Sequence, residues 1–214
     1  AYETIGSSMA VRASAYEKQG GMNRRKAGED FYFLHKIIPL GNFGEINNTR
    51  VIPSPRQSDR VPFGTGRAVN QWINAQALET YALDSFHDLK SFLYNIEELY
   101  KTKPEHLQKF LAAMPLSIQR FLSNINFTKE INRINNNVSS SETFINQFFA
   151  WFDGFKALKF VHFARDNFYD NKPVFEVARQ MIEIIYSDLD EPLSAKQLLD
   201  IYREIDRDMI YLRE

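Results

Sequence analysis

Two pairs of residues near the start of the chain have the composition of a site that acts on a polar substrate. Glu29 and Asp30 are adjacent carboxylates. A carboxylate within hydrogen-bond reach of a hydroxyl can act as its general base. Gly20 and Gly21 precede them, and a backbone without a Cβ can approach a ligand closely. The acidic pair would also suit the N-terminal end of a helix with no chemical role, so the pair by itself allows both interpretations.

A third candidate group is basic. Arg56 and Arg60 lie in a stretch rich in serine and proline. Planar guanidinium groups bind phosphate through two parallel hydrogen bonds, so this stretch is a candidate phosphate site. An ion pair between Arg60 and the adjacent Asp59 explains the same residues equally well.

The elements that position these residues are predicted from hydrophobic spacing, glycine and proline. Phe31, Leu34 and Ile38 recur at helical spacing, which puts Glu29 and Asp30 in the first turn of a helix that ends before residue 39. The other predicted elements of this region are a strand over 7–11, a short helix over 11–19 that ends at the glycine pair, a strand over 45–52 and a long loop over 53–66.

From residue 67 onward the sequence is nearly continuous amphipathic helix. The predicted spans are 67–80, 84–101, 104–112, 115–124, 126–137, 141–168, 173–187 and 194–212. Ser141 and Ser194 are the predicted N-caps of two of these helices, and Gly154 is a predicted bend. One helix is crowded with aromatic residues, namely Phe148, Phe149, Trp151, Phe152 and Phe155. Core packing is favoured over a cofactor or lipid pocket as their role.

Composition excludes several classes of site. The 214 residues contain no cysteine, which removes disulfides, thiolate metal sites and a cysteine nucleophile. Lys plus Arg number 26 against 27 Asp plus Glu, so no net field favours nucleic acid. The histidines, His35, His87, His106 and His162, are not spaced as a metal site. No apolar run approaches the roughly 20 residues of a membrane span, and no signal peptide is recognisable. A cytoplasmic protein is therefore predicted.

The order of these features resembles the family 2 glycosyltransferases of the GT-A fold. In that family a strand with a small polar residue, here Ser8, leads to a Gly-Gly pair, and a Glu-Asp motif opens the next helix. The resemblance covers about the first third of the chain, and the spacing of Gly20-Gly21 to Glu29-Asp30 is its specific part.

The resemblance implies roles for individual residues. Asp30 would be the general base on the acceptor hydroxyl in inverting transfer from a nucleotide-diphosphate sugar, and Glu29 would orient Asp30 or bind acceptor hydroxyls. The residues that it implies for substrate binding are Ser8, Gly20, Gly21, Met22, Arg56 and Arg60.

The family's Asp-x-Asp motif, which holds a Mg or Mn ion against the donor diphosphate, has no counterpart in the expected order. Asp188-Leu189-Asp190 comes after the Glu-Asp pair instead of before it, so no metal ligand is predicted. The nucleotide-binding half is also expected upstream of residue 1, which predicts that this chain alone neither binds donor tightly nor turns over.

The predicted fold is mostly α, with the C-terminal remnant of an α/β GT-A domain over 1–66 and an all-α helical bundle region over 67–214. The predicted function is the C-terminal part of an inverting glycosyltransferase. The alternative is a non-catalytic helical interaction module, and oligomerisation through the helical region fits either one.

Overall fold

The protein is mostly helical, as predicted. The computed structural model describes residues 9–24, 28–44, 46, 48–49, 51–52, 65–75, 77–186 and 193–208. Within these ranges there are eleven α-helices: α1 (Ala13–Lys18), α2 (Glu29–Ile37), α3 (Thr65–Ala75), α4 (Leu83–Tyr94), α5 (Pro104–Ala113), α6 (Leu116–Asn124), α7 (Phe127–Asn136), α8 (Ser141–Trp151), α9 (Gly154–Asn167), α10 (Val174–Ile185) and α11 (Ala195–Asp208). Short 3-10 turns, Ile38–Leu40 and Ile96–Leu99, follow α2 and α4.

The described residues contain one sheet of two short antiparallel strands. Strand β1 (Glu79–Thr80) pairs with β2 (Lys172–Pro173), so that Glu79 lies opposite Pro173. The predicted helix 67–80 is therefore wrong at its C-terminal end, because residues 79 and 80 join this ladder.

The chain divides into two compact units, residues 1–78 with 193–214, and residues 79–192. This division rests on compactness. The predicted domains, 1–66 and 67–214, rest on the glycine and proline content of the first region and the helical pattern of the second, and they stay a prediction.

The two strands predicted near the start of the chain are wrong wherever the structure describes them. Residues 9–11 lead into α1 without forming a strand, and residues 46, 48–49 and 51–52 form no ladder either. The side chains of Ile46 and Ile52 are 73% and 81% exposed. Strand propensity is realised by packing against neighbours, and these exposed side chains lack such packing.

Unit 79–192 is built around a cluster of phenylalanine rings. Phe92 of α4 lies at its centre, with its ring centroid 5.6 Å from that of Phe127, 6.1 Å from Phe148 and 5.2 Å from Phe152. Phe92 and Phe148 are fully buried. The predicted core role of the aromatic run is confirmed for Phe148 and Phe152, whereas Phe149 is 46% exposed.

The predicted helix 141–168 is two helices, because the chain turns at Phe152 and Asp153. The Asp153 carboxylate accepts a hydrogen bond from the Lys156 backbone N–H at 3.0 Å, which caps the start of α9. Ser140, one residue before the predicted cap, performs the same function for α8 through the Thr143 N–H. Ser194 caps α11 as predicted.

The predicted helix 84–101 is likewise shorter, since α4 ends at Tyr94 and a 3-10 turn follows.

Among the described helices, none combines the length and the apolar character that crossing a bilayer requires.

Candidate functional site

The Glu-Asp pair occupies the first turn of α2, as predicted. Gly28 precedes it as the N-cap with a left-handed φ of 74°, a conformation that glycine adopts without steric cost. Asp30 Oδ1 accepts a hydrogen bond from the Phe31 backbone N–H at 2.8 Å. Glu29 and Asp30 are half-buried. Both carboxylates therefore lie at the positive end of the helix dipole.

The Gly20-Gly21 pair ends α1 in a defined turn. The Gly20 N–H donates to the Glu17 carbonyl at 3.0 Å, and the Gly21 N–H donates to the Tyr16 carbonyl at 2.9 Å. This is the hydrogen-bond pattern of a Schellman motif. The φ angles of +70° and +69° lie in the left-handed region that favours glycine. The prediction that this pair terminates the short helix is confirmed.

One aromatic side chain lies against both the glycine turn and the acidic helix. The ring of Tyr16 is so close to Gly21 that a Cβ there would lie 2.8 Å from its Cε1 atom. The same ring packs against that of Phe33, with centroids 5.3 Å apart. Phe33 is 2% exposed and lies one turn after Asp30 on α2. The two halves of the predicted motif are thus linked through Tyr16 and Phe33.

Sequence reasoning missed Tyr16. Its only sequence signal is its place at the third position from the end of α1, which in a Schellman motif commonly makes the apolar contact to the residue after the turn. That signal indicates a cap, and it does not indicate a contact with a second helix.

The remaining predicted site residues are not brought together by the described structure. Met22 follows the glycine turn and is half-buried. Ser8, Arg56 and Arg60 lie outside the described residues, as does the Asp188–Asp190 pair.

A second polar cluster lies in unit 79–192 and was not predicted. The Asp88 carboxylate accepts hydrogen bonds from the Ser117 hydroxyl and, at 2.6 Å, from the Tyr169 hydroxyl. Burial, and the hydrogen bond to Asp88, raise the pKa of Tyr169 above its ordinary value. These contacts join α4, α6 and the segment after α9, so the cluster ties the unit together.

A neighbouring pair joins Tyr81 to α9. His162 Nε2 and the Tyr81 hydroxyl lie 2.7 Å apart, and the Arg165 guanidinium lies 5.9 Å from the centre of the Tyr81 ring. Arg165 also donates to Asp166 at 2.7 Å, and this hydrogen bond lowers the pKa of the Asp166 carboxyl. The pair is far apart in sequence, and no spacing rule would have found it.

No group of three or more histidine, aspartate or glutamate side chains in the described part of the chain could hold a metal ion.

Comparison with protein families, with curated proteins and with solved structures finds no match to the chain. The function is therefore inferred from the residues of the candidate site and their geometry.

Proposed function

We propose that this chain provides the acceptor side and the catalytic base of an inverting glycosyltransferase similar to family 2 enzymes of the GT-A fold. The observation that supports the proposal is the joining of two half-buried carboxylates at the start of α2 to a left-handed Gly-Gly turn through a single aromatic contact. A carboxylate can take the proton of a sugar hydroxyl, and a backbone without Cβ atoms lets the sugar ring approach closely.

The proposed reaction transfers a sugar from a nucleotide-diphosphate donor to an acceptor hydroxyl. The hydroxyl oxygen bonds to the anomeric carbon from the face opposite the leaving group, while the bond between that carbon and the diphosphate oxygen breaks. Asp30 takes the proton of the hydroxyl, and the nucleoside diphosphate leaves with the electron pair.

Glu29 has a different proposed role. It lies about 100° around the helix from Asp30 and does not reach the same hydroxyl. Glu29 is proposed to orient Asp30 or to bind acceptor hydroxyls. Arg56 and Arg60 are proposed to neutralise the charge that develops on the diphosphate.

The test is Asp30→Asn in the intact natural protein. Asparagine keeps an Oδ1 acceptor for the Phe31 N–H but is not a base, so the start of α2 is retained while proton transfer is lost. The expected fall in kcat is on the order of 10²- to 10⁴-fold. The assay measures nucleoside diphosphate released from a panel of UDP-, GDP- and dTDP-sugars, with a deproteinised glycan and lipid extract as acceptor.

Two controls accompany this variant. Glu17→Gln removes an exposed carboxylate from α1 and is expected to leave kcat unchanged. The thermal unfolding midpoint of Asp30→Asn should lie close to that of the parent. Full turnover by a folded Asp30→Asn protein would contradict the proposal.

A second function is favoured by one observation on α10. Val174, Met181 and Ile185 lie at spacings of seven and four residues on the side of this helix that also buries Val177 and Ile182. These three side chains are nevertheless 44%, 41% and 39% exposed. An apolar face of this kind suits association, and we propose self-association as the alternative role of the helical region.

Self-association is tested by sedimentation velocity over a range of protein concentrations. Ile185→Lys should shift the protein toward monomer, whereas Glu183→Lys, on the charged face, should not. A parent protein that is monomeric at all concentrations would contradict this alternative.

A further inference from the structure

We propose that Tyr16 is a positioning residue, whose ring sets the separation between the Gly20-Gly21 backbone and the carboxylates at the start of α2. The inference rests on the proposed transfer function. It names the side chain that would fix the distance between the glycine turn and the carboxylates of that site.

The two glycines of the turn have different surroundings. A Cβ at Gly21 would lie 2.8 Å, 3.0 Å and 3.1 Å from the Cε1, Cζ and hydroxyl oxygen of Tyr16. A Cβ at Gly20 would meet no described atom within 4 Å. Both residues have a positive φ, so both favour glycine for backbone reasons. Gly21 differs from Gly20 in that the outer end of the Tyr16 side chain lies against it, so an added Cβ would require that side chain, which is 38% exposed, to shift.

The Tyr16 ring also packs against α2. The plane of the Tyr16 ring is inclined 51° to that of the Phe33 ring, and the two centroids are 5.3 Å apart. Phe33 is buried, so it gives the Tyr16 ring a fixed surface to pack on. Phe33 follows Asp30 by three residues, which is one helical turn. The Tyr16 ring therefore lies against both the glycine turn and the helix that carries Asp30.

The ring, and not the hydroxyl, is the part of Tyr16 that this geometry uses. The Cε1 atom would lie closest to a Cβ at Gly21, and the ring packs against Phe33 in a tilted arrangement. Phenylalanine at this position would keep both contacts, whereas alanine would remove both. Leucine would keep apolar bulk but lose the planar surface, which makes it a second disruptive variant if the alanine protein is unstable.

The first test is kinetic and uses the intact protein with the donor that gives turnover in the panel assay. Tyr16→Ala and Tyr16→Leu should lower kcat on the order of 10²-fold, because a misplacement of about 1 Å at a reacting centre has this cost. The KM for the donor should stay unchanged. Because a loss of folded protein would also lower the apparent kcat without changing KM, kcat is expressed per mole of folded protein, measured by circular dichroism. Tyr16→Phe should restore kcat to near the parent value.

The second test is a double-variant cycle that separates packing from backbone conformation. Gly21→Ala should lose activity, and Tyr16→Ala introduced into Gly21→Ala should recover thermal stability relative to Gly21→Ala alone, because the added Cβ no longer meets the ring. The same Tyr16→Ala change introduced into Gly20→Ala should give no recovery. Equal behaviour of the two glycine backgrounds would overturn the inference.

The outcomes distinguish this inference from the proposed function. If Asp30→Asn is inactive while both Tyr16→Ala and Tyr16→Leu keep the parent kcat, Tyr16 does not position the site and the inference is overturned, but the transfer function stands. If Asp30→Asn is active, the transfer function itself is overturned and the inference falls with it. Loss of kcat in both disruptive Tyr16 variants, with recovery in Tyr16→Phe, supports the inference.

Discussion

The α1–α2 region and unit 79–192 differ in what holds their backbone in place. In α1 no residue is buried, and α2 buries Phe33 and Leu34. Unit 79–192, in contrast, has a continuous core of phenylalanine rings from α4, α7, α8 and the turn before α9. Among the described residues, the first region shows a left-handed glycine turn and a Tyr16–Phe33 ring contact with little apolar burial, whereas the second shows extensive apolar burial.

Substitutions in the two regions should therefore have different effects. Side chains with candidate chemistry occur where little apolar surface is buried, so changing them should alter activity more than stability. Changing core side chains of unit 79–192 should alter stability more than activity.

The largest effect is expected for Phe148→Ala. This ring is fully buried among other aromatic rings, and its removal should lower the free energy of unfolding by about 3–5 kcal/mol. Denaturant unfolding of the 214-residue chain, followed by circular dichroism, measures it. The adjacent and half-exposed Phe149→Ala is the matched control. Similar losses for the two variants would show that the ring cluster does not dominate stability.

The next effect concerns two fully buried serines with opposite surroundings. Ser117 donates to Asp88, so Asp88→Ala should leave its hydroxyl without that acceptor and cost about 1–3 kcal/mol. The Ser85 hydroxyl has no hydrogen-bond partner among the described residues. Ser85→Ala should therefore raise the free energy of unfolding by about 1 kcal/mol. Chemical denaturation should show a lower free energy of unfolding for Asp88→Ala and a higher one for Ser85→Ala. A loss of stability in Ser85→Ala would contradict the second expectation.

A smaller effect is expected at the start of α8. Ser140→Ala removes the oxygen that accepts from the Thr143 N–H at 3.2 Å, which should cost about 1 kcal/mol. The exposed neighbour Ser139 contributes its backbone carbonyl, to Tyr100, and that carbonyl is kept in Ser139→Ala. Thermal unfolding of both variants provides the comparison, and an equal shift in the two would argue against a capping role.

The smallest effect is a dependence of stability on alkaline pH. The folded state raises the pKa of Tyr169, so it holds the phenol proton more tightly than the unfolded chain does. The stabilisation of the folded state by this proton is fully present below the unfolded pKa of about 10. It is lost as the pH rises through the folded pKa. Unfolding midpoints measured across this range should fall less steeply in Tyr169→Phe than in the parent. Identical slopes would contradict the assignment.

Hydrophobic spacing predicted much of the helical architecture. The span 104–112 corresponds to α5, which ends one residue later, at Ala113. Caps and breaks were harder to predict, because α8 ends at Trp151 and Asp153 caps a new helix in the middle of a run whose apolar pattern continues on both sides. The strand predictions failed since Ile46 and Ile52 have the propensity for a strand but no packing partner to realise it.

The residue types of the candidate site were predictable from the sequence, but the contact that links its glycine pair to its acidic pair was not. The Gly-Gly and Glu-Asp pairs each carry a local signal that glycine conformation and helix starts explain. The contact of Tyr16 with Phe33 depends on how α1 returns toward α2, which no local pattern encodes. The same holds for the Tyr81–His162 hydrogen bond, whose partners are 81 residues apart.

The short pairing of β1 with β2 has a consequence for the architecture of the chain. Since Thr80 lies opposite Lys172, the segment that holds α4 to α9 begins and ends at neighbouring positions. A change of length within that segment therefore leaves the distance between its two ends unchanged.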